Sequence, residues 1–167
     1  LSLNKIDFVF KGGTSLILLL QEARRFSIDL DIIVKKKSEN IISVFDTIIK
    51  ESGFTKWAVD NERKLTAKEP VEHFKFFYKS GIDSYFGDEP ILLDILYGAC
   101  PYSQLNDVPV KYKWLKTESP VTTVKIPSID CILGDKLTAF APNTTGIPYK
   151  KNKAAEIIKQ LYDIGHL

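Results

Sequence analysis

Two aspartates separated by one residue are the strongest chemical signal in this sequence of 167 residues. Asp29 and Asp31 lie in an otherwise apolar stretch that is predicted to be a strand, where alternation places them on one face, roughly 7 Å apart at the backbone. Two acids on one face of such a strand cost free energy unless a positive charge lies between them. The spacing therefore predicts a site for a hard cation, Mg²⁺ or Mn²⁺, which binds carboxylates, water and phosphate oxygens.

A third acid occurs in a second apolar stretch. Asp94 is the only polar residue between Ile91 and Leu96, so it requires either the same metal or a structural hydrogen-bond partner. The presence of the first acid pair favours the metal. Three carboxylates on adjacent strands can hold two metals, one activating an attacking hydroxyl and one binding a triphosphate and the leaving pyrophosphate.

A glycine pair lies between a predicted strand and a predicted helix. Gly12 and Gly13 let the backbone approach a ligand closely, and the free N–H groups at the start of the following helix suit a phosphate. Thr14 or Ser15 is predicted to cap that helix. A glycine pair at such a junction is by itself more often a simple turn, so its position shortly before the acids is what favours the phosphate site.

These runs also resemble a known family. Gly12 to Leu16, Arg25-Phe26-Ser27 and Asp29-Leu30-Asp31 are similar to the first motif of the DNA-polymerase-beta-like nucleotidyltransferases, and specifically of the AbiEii/AbiGii toxins, also called type IV or MenT-like toxins. Gly134 to Ala139 and Lys159 to Ile164 resemble later helical motifs of the same family. The resemblance therefore covers nearly the whole chain.

The resemblance implies roles for individual residues. The metal ligands are expected to be Asp29, Asp31 and Asp94, the further catalytic residues Lys136 and Asp163, and the nucleotide-binding residues Gly12, Gly13, Thr14, Ser15, Arg25, Ser27 and Lys136. In this assignment Lys136 reaches the nucleotide phosphates, as a compact positive charge can. Asp163 is the helical acid near the site.

The resemblance also implies an activity. It predicts transfer of a nucleoside monophosphate from ATP, GTP, CTP or UTP to a macromolecular hydroxyl, with RNA, in particular the acceptor end of tRNA, as the expected acceptor and an antitoxin as a partner. Transfer to a Ser, Thr or Tyr of a protein is the nearest alternative, and a non-catalytic nucleotide-binding module is another. A phosphohydrolase that uses the Asp-x-Asp pair is disfavoured, because it explains neither Gly12-Gly13 nor Asp94.

The acids and the glycine pair must be positioned by a sheet with helices beside it. Predicted strands cover Ile6 to Phe10, Ser27 to Lys35, Thr55 to Asp60, Glu72 to Tyr78, Ile91 to Tyr97 and Val108 to Leu115. One predicted helix follows Gly13 and has an apolar stripe that reaches Ala23. A second begins at Ser38 and ends at a left-handed Gly53. A third runs from a capping Ser128 to about Ala141, and a fourth follows a capping Asn152. This order predicts an α/β (α+β) fold, a nucleotidyltransferase-like mixed sheet flanked by helices, with the core in residues 1–126 and a helical C-terminal part in 127–167.

Composition is consistent with a folded cytoplasmic enzyme and not with a membrane protein. Hydrophobic residues make up 44% of the chain and charged residues 26%, and the net charge is +2, values ordinary for a globular domain. Cys100, Cys131, His73 and His166 are isolated in sequence, so a zinc site is not expected and both thiols are predicted to be buried. Lysines cluster at residues 35–37, 111–116 and 150–153, which is compatible with an RNA backbone.

Overall fold

The computed structural model describes residues 1–20, 24–37, 39–61, 70–81, 90–141, 144–149 and 152–167, so the predicted helical positions Ala23 and Ser38 lie outside the described residues. The strands are β1 (Val9–Lys11), β2 (Leu30–Val34), β3 (Phe54–Val59), β4 (Val71–Tyr78), β5 (Pro90–Tyr97), β6 (Leu105–Pro109) and β7 (Thr123–Pro127). The α-helices are α1 (Gly12–Leu19), α2 (Ile41–Glu51), α3 (Ile129–Phe140) and α4 (Ala154–Ile164). Within the described ranges, none of these helices has the length and apolar character needed to span a membrane.

All seven strands of the described ranges form one mixed sheet in the order β3-β4-β5-β2-β1-β7-β6, which confirms the predicted fold class. The parallel pairs β2–β5 and β1–β7 lie in the middle of the sheet, and the other neighbours are antiparallel. In the β2–β5 register, Asp31 lies beside Asp94. Two acids that are far apart in sequence therefore become neighbours through backbone pairing alone.

Alternation in these strands separates the apolar core from the acids. Ile32 of β2 and Ile95 of β5 point to the sheet face that α2 covers, where they pack with the fully buried Phe45. Because successive side chains of a strand point to opposite faces, Asp31 and Asp94 lie on the other face. The core that holds the sheet together thus leaves the acids on the side where α1 begins.

A smaller apolar cluster joins the remaining helices to the sheet. Leu16 of α1, Val124 and Ile126 of β7 and Ile132 of α3 are buried together. The side chain of Ile132 thus ties the helical C-terminal part to a strand of the sheet. The division of the chain at residues 126 and 127 stays a prediction.

Three strand predictions are wrong in their bounds. β1 begins at Val9 rather than at Ile6, because only Val9 and the two residues after it pair with β2. β2 begins at Leu30 rather than at Ser27, so Asp29 lies just before the strand, where its carbonyl accepts a hydrogen bond from the Thr14 hydroxyl. The strand predicted over Val108 to Leu115 is instead β6, which ends at Pro109, and β7 was not predicted. The aromatic residues that follow Pro109 favour a strand by propensity, but their rings stack on one another at the surface instead.

The ends of the helices show which capping signals are reliable. Ser128 caps α3 as predicted, with its hydroxyl accepting a hydrogen bond from the Cys131 amide at 3.3 Å. Asn152 does not cap α4, because it adopts a positive φ of 54° and Lys153 is the N-cap residue. Gly53 is not left-handed, since the chain already leaves α2 in an extended conformation at the preceding residue.

The cysteines differ from expectation in one respect. Cys131 is half-buried, but Cys100 is exposed, so the prediction of two buried thiols is wrong for Cys100. The reason is its position, because it follows the end of β5 in a surface segment just before Pro101. Both thiols are free.

Candidate active site

A cavity of about 310 Å³ opens beside the first turn of α1. Its lining is mainly polar and charged and comprises Lys11, Gly12, Gly13, Arg25, Ser27, Asp29, Asp31, Tyr102, Ile132, Asp135, Lys136, Ala139, Glu156, Lys159 and Gln160. Pockets of about 300–1,000 Å³ are the usual size for small-molecule ligands. The predicted acid pair, the glycine pair and the predicted basic residues therefore face one space of suitable size.

One wall of this cavity carries two acids, Asp29 and Asp31. Burial raises the pKa of Asp31 above its ordinary value, and the charges of Asp94 and Asp29 raise it further, while Lys11 and Lys136 act in the opposite direction. Asp29 lines the cavity beside Asp31 although it precedes the strand. The charged form of Asp31 is thus disfavoured in the protein alone, chiefly by burial.

Gly12 makes the approach of Asp31 possible. Its φ is +78°, in the region that residues with a side chain rarely adopt. A Cβ at this position would lie 2.0 Å from Asp31 Oδ2, well inside van der Waals contact. The glycine is therefore required both by the backbone conformation and by the packing of the acid.

Gly13 makes room for a second set of side chains. A Cβ there would lie 2.7 Å from Arg25 Nη2 and 2.9 Å from Ser27 Oγ. The backbone N–H groups at the start of a helix have no partner within the helix, and these glycines leave them accessible from the cavity. Gly12 and Gly13 therefore allow Asp31 and Arg25 to lie within a few ångströms of the backbone at the start of α1.

The hydroxyls next to the glycine pair point into the protein. α1 begins at Gly12 with Lys11 as its N-cap residue and without a side-chain cap, so the predicted caps at Thr14 and Ser15 are wrong. The Thr14 hydroxyl donates to the Asp29 carbonyl, and the fully buried Ser15 hydroxyl donates to the Gly12 carbonyl at 2.8 Å. Among the described residues that line the cavity, neither Thr14 nor Ser15 is present. Their hydroxyls instead hold the turn and the segment before β2 in place.

The opposite wall of the cavity is built on a paired acid. Asp163 of α4, only 4% exposed, accepts two hydrogen bonds of 2.7 Å from Arg25, through Nε and Nη2, and lies 2.9 Å from Lys136 Nζ. Burial alone would raise the pKa of Asp163, but the bonds from Arg25 and Lys136 outweigh it and lower the pKa below the ordinary value. Asp163 is not among the described residues that line the cavity. It lies behind them and fixes the two cations that do.

Asp94 has the hydrogen-bond partner that the structural alternative for this residue requires. Its Oδ1 lies 2.8 Å from Nδ1 of His73, which is isolated in sequence but is its register partner on β4. Asp94 lies next to Asp31 along the sheet but is not part of the described cavity lining. Within the described ranges, no group of three or more Asp, Glu, His or Cys side chains is arranged to hold a metal.

The acids that face the cavity nevertheless fit a divalent cation. Mg²⁺ is usually bound through one or two carboxylates and completes its octahedron with water and substrate phosphates. Asp29 and Asp31 supply two such carboxylates, and a cation between them would stabilise the charged form of Asp31, which burial and the charges of Asp94 and Asp29 disfavour. The donor set is therefore sufficient for Mg²⁺ without a third protein ligand.

Sequence patterns did not point to three further residues in this cavity. The Tyr102 hydroxyl donates to Asp135 Oδ2 at 2.7 Å, and burial and this carboxylate raise the pKa of Tyr102. Lys11 Nζ lies 3.9 Å from the same Asp135 oxygen. Lys11 precedes the glycine pair directly and was open to prediction from that position. Tyr102 lies in a surface segment with no repeating pattern, so only the fold reveals it.

Comparison with known proteins agrees with this geometry. The model of a family described as nucleotidyl transferase AbiEii toxin, type IV toxin–antitoxin system, matches residues 1–167. The chain belongs to the AbiEii family. The description of the AbiEii family is thus that of nucleotidyl transferase toxins of a type IV system. A search among curated proteins found no match.

Solved structures share the AbiEii chain's fold. JHP933 from Helicobacter pylori matches with a TM-score of 0.60 and 19% identity, covering 99% of this chain and 59% of JHP933. A candidate nucleotidyltransferase from H. pylori gives 0.54, 18% identity and coverages of 98% and 70%. An antigenic nucleotidyltransferase-like protein from Paracoccidioides brasiliensis gives 0.56, 15% identity and coverages of 98% and 68%. The chain thus spans between about three fifths and seven tenths of the proteins whose fold it shares.

Proposed function

We propose that this chain transfers a nucleoside monophosphate from a nucleoside triphosphate to an RNA acceptor, with tRNA as the expected substrate. One observation carries the proposal: a single cavity is lined by an acid pair, by two cations that Asp163 anchors, and by the start of a helix. A triphosphate with its metal ion complements that distribution of charge. An uncharged small molecule does not.

The acid wall is the proposed metal site. Asp29 and Asp31 would hold Mg²⁺ or Mn²⁺, and Asp94 would act as the third acid from the neighbouring strand, with His73 as its hydrogen-bond partner. When bound, such an ion supplies Lewis-acid stabilisation of the phosphate charge and a lower pKa for an attacking hydroxyl. The acceptor oxygen forms a bond to the α-phosphorus, the bond from that phosphorus to the β-phosphate oxygen breaks, and pyrophosphate leaves.

The other wall is the proposed phosphate-binding side. Arg25 and Lys136 line the cavity while Asp163 fixes their orientation, so both cations can bind phosphate oxygens without first being ordered. Gly12, Gly13 and the backbone of Thr14 and Ser15 would present helix N–H groups to the same phosphates. Ser27 Oγ, close to Gly13, is a further donor.

RNA is the favoured acceptor because lysines cluster on the exposed surface. Lys35, Lys36 and Lys37 are exposed after β2, and Lys111, Lys113 and Lys116 are exposed after β6. Clustered lysines bind phosphate backbones of RNA mainly through electrostatic attraction. Lys150 and Lys151, of the third predicted cluster, lie outside the described residues. We also propose that the protein acts in the cytoplasm and that an antitoxin binds it.

The direct test is transfer of label. The protein is incubated with Mg²⁺, each labelled nucleotide in turn, total RNA and a cell extract, beside the variants Asp29→Asn and Asp107→Asn. Asp107 is an exposed acid on β6, away from the cavity, and serves as the matched control. Label in the RNA fraction that is lost only in Asp29→Asn supports the proposal.

Other outcomes of the same assay have definite meanings. Label in the protein fraction assigns the activity to a Ser, Thr or Tyr acceptor instead. Absence of label with every nucleotide, together with retained nucleotide binding, assigns the chain to the non-catalytic binding modules. Equal labelling by Asp29→Asn and the parent would contradict the proposed metal site.

A further inference from the structure

Exposed aromatic rings form a patch beside the cavity. The rings of Phe26 and Trp114 are stacked, with centroids 5.2 Å apart and an interplanar angle of 26°, and Tyr112 packs edge-on against Trp114 at 5.1 Å. Phe26 is nevertheless 75% exposed and Trp114 53% exposed. Such rings cost free energy in water, and this patch keeps large parts of two of them in solvent. We refer to Phe26, Tyr112 and Trp114 with Lys113 as the aromatic patch.

The patch carries positive charge of its own. Lys113 Nζ lies 5.3 Å from the centre of the Trp114 ring and 6.0 Å from that of Tyr112, within the range of cation–π contacts. Lys111 and Lys116 are exposed in the same segment, and Glu118 is its nearest acid in sequence. Flat rings and lysines are thus presented together, and the surface combines stacking area with affinity for phosphate.

The position of the patch links it to the proposed reaction. Phe26 lies between Arg25 and Ser27, which both line the cavity, and consecutive Cα atoms are only 3.8 Å apart. The Arg25 guanidinium also donates through Nη1 to the Phe26 carbonyl at 3.2 Å. A chain bound on the patch would therefore reach the cavity within about one nucleotide.

We propose that the aromatic patch binds the unpaired nucleotides at the end of the RNA acceptor, by stacking bases on Phe26 and Trp114 and pairing phosphates with Lys113. This inference rests on the proposed function. Unpaired bases stack on aromatic side chains irrespective of sequence, and nearby lysines follow the backbone. A buried protein interface would instead be depleted of lysine, so the composition of the patch favours RNA over a protein.

Binding is measured with the full chain and a fluorescently labelled unpaired hexanucleotide RNA, by anisotropy, without nucleotide. Trp114→Ala and Phe26→Ala are each expected to raise the Kd about tenfold, because base stacking on one aromatic side chain is worth on the order of 1.4 kcal/mol. Trp114→Tyr keeps a ring and is expected to retain most of the affinity. A blunt-ended RNA duplex is expected to bind weakly and equally to all variants.

Two lysine substitutions distinguish binding by the aromatic patch from attraction by positive charge elsewhere on the protein. Lys56 lies over the Phe77 ring at 4.6 Å on the β3 side of the sheet, the edge opposite β6. Lys113→Ala is expected to weaken hexanucleotide binding about threefold and to lower its salt dependence, while Lys56→Ala leaves both unchanged. Equal effects of the two substitutions would overturn the role of the patch.

Steady-state kinetics distinguish failure of this inference from failure of the proposed function. Trp114→Ala is expected to raise the KM for RNA and leave the KM for the nucleotide unchanged. If RNA is labelled normally but Trp114→Ala and Phe26→Ala bind hexanucleotide like the parent, the patch inference is wrong and the transferase proposal stands. If RNA is never labelled yet both variants lose hexanucleotide binding, the transferase proposal is wrong and the patch inference stands. Tighter binding of an unfolded protein segment than of the hexanucleotide would assign the patch to a protein partner.

Discussion

Two acids on either side of one cavity experience opposite environments. Asp31 is half-buried among other acids, and its pKa is raised, whereas Asp163 is more deeply buried but receives Arg25 and Lys136, and its pKa is lowered. Burial penalises both charges. The difference lies in their partners, because Arg25 and Lys136 form hydrogen-bonded ion pairs with Asp163, whereas the attraction of Lys11 and Lys136 does not outweigh burial and the nearby acids at Asp31.

This contrast separates structural from functional acids. A buried carboxylate with hydrogen-bonded cations is part of the scaffold, and removing it leaves those cations unpaired. We infer that a carboxylate held half-buried beside two other acids, as Asp31 is, lowers stability and serves to bind a ligand. The following predictions test this distinction, in order of decreasing effect.

The largest effect is expected at the unpaired acid. Asp31→Asn should lower kcat/KM for nucleotidyl transfer at least about a thousandfold, or about 4 kcal/mol, because it removes a ligand of the proposed metal. The free energy of unfolding, measured with urea at pH 7, should stay equal or rise, because the amide carries no charge to desolvate. A variant that loses stability but keeps activity would reverse the assignment of the two acids.

At the paired acid the main loss should be in stability. Asp163→Asn is expected to lower the free energy of unfolding by about 3–5 kcal/mol, because breaking a buried ion pair leaves uncompensated charge. Asp107→Asn, at an exposed acid, should change it by less than about 1 kcal/mol. If Asp163→Asn does not fold, Arg25→Lys provides a milder test, since it keeps the charge but loses the bidentate geometry. No loss in either variant would show that the pair is not structural.

A smaller effect is expected from the metal. Free Mg²⁺ at ten times its Kd should stabilise the parent by about 1.4 kcal/mol, because a ligand that binds only the folded state adds RT ln(1 + [L]/Kd). The gain should disappear in Asp31→Asn and persist in Asp107→Asn, as measured by urea unfolding with and without Mg²⁺. An equal gain in all three proteins would place the ion elsewhere.

The smallest effects concern pH, and the two acids should act with opposite signs. The lowered pKa of Asp163 adds stability that is fully present above its unfolded value of 3.8 and is lost as the pH falls through the folded pKa. The raised pKa of Asp31 has the opposite consequence: its contribution is present below 3.8 and is lost as the pH rises through the folded pKa. Unfolding free energies between pH 3 and 7 should therefore depend less steeply on pH below 3.8 in Asp163→Asn and above 3.8 in Asp31→Asn. Parallel curves for parent and variants would contradict both shifts.

The elements of the fold that could be predicted are those whose signals lie within their own sequence. α2, β4 and β5 have strong periodic patterns and were predicted to within a few residues. β7 is five residues long, and it is a strand because it pairs with β1 and β6, which lie far away in the sequence. Its own residues carry too little signal to reveal that pairing.

The residues of the site likewise fall into those that residue type alone reveals and those that only the fold reveals. Acids in apolar segments and the glycine pair were recognisable by residue type alone, and the structure brings Asp29, Asp31, Gly12 and Gly13 to one cavity. The pairing of Asp163 with Arg25 depends on how α4 packs beside the start of β2, which no local pattern specifies. The metal ligands and the phosphate contacts stay predictions until they are tested.

The bond between Arg25 and Asp163 also has a consequence for biosynthesis. These residues are 138 positions apart, so a ribosome has released the acid pair and the glycine turn long before the α4 carboxylate that orders the opposite wall. A nascent chain therefore carries an incomplete cavity until α4 emerges. The opposite wall of the cavity thus forms only after α4 has been synthesised.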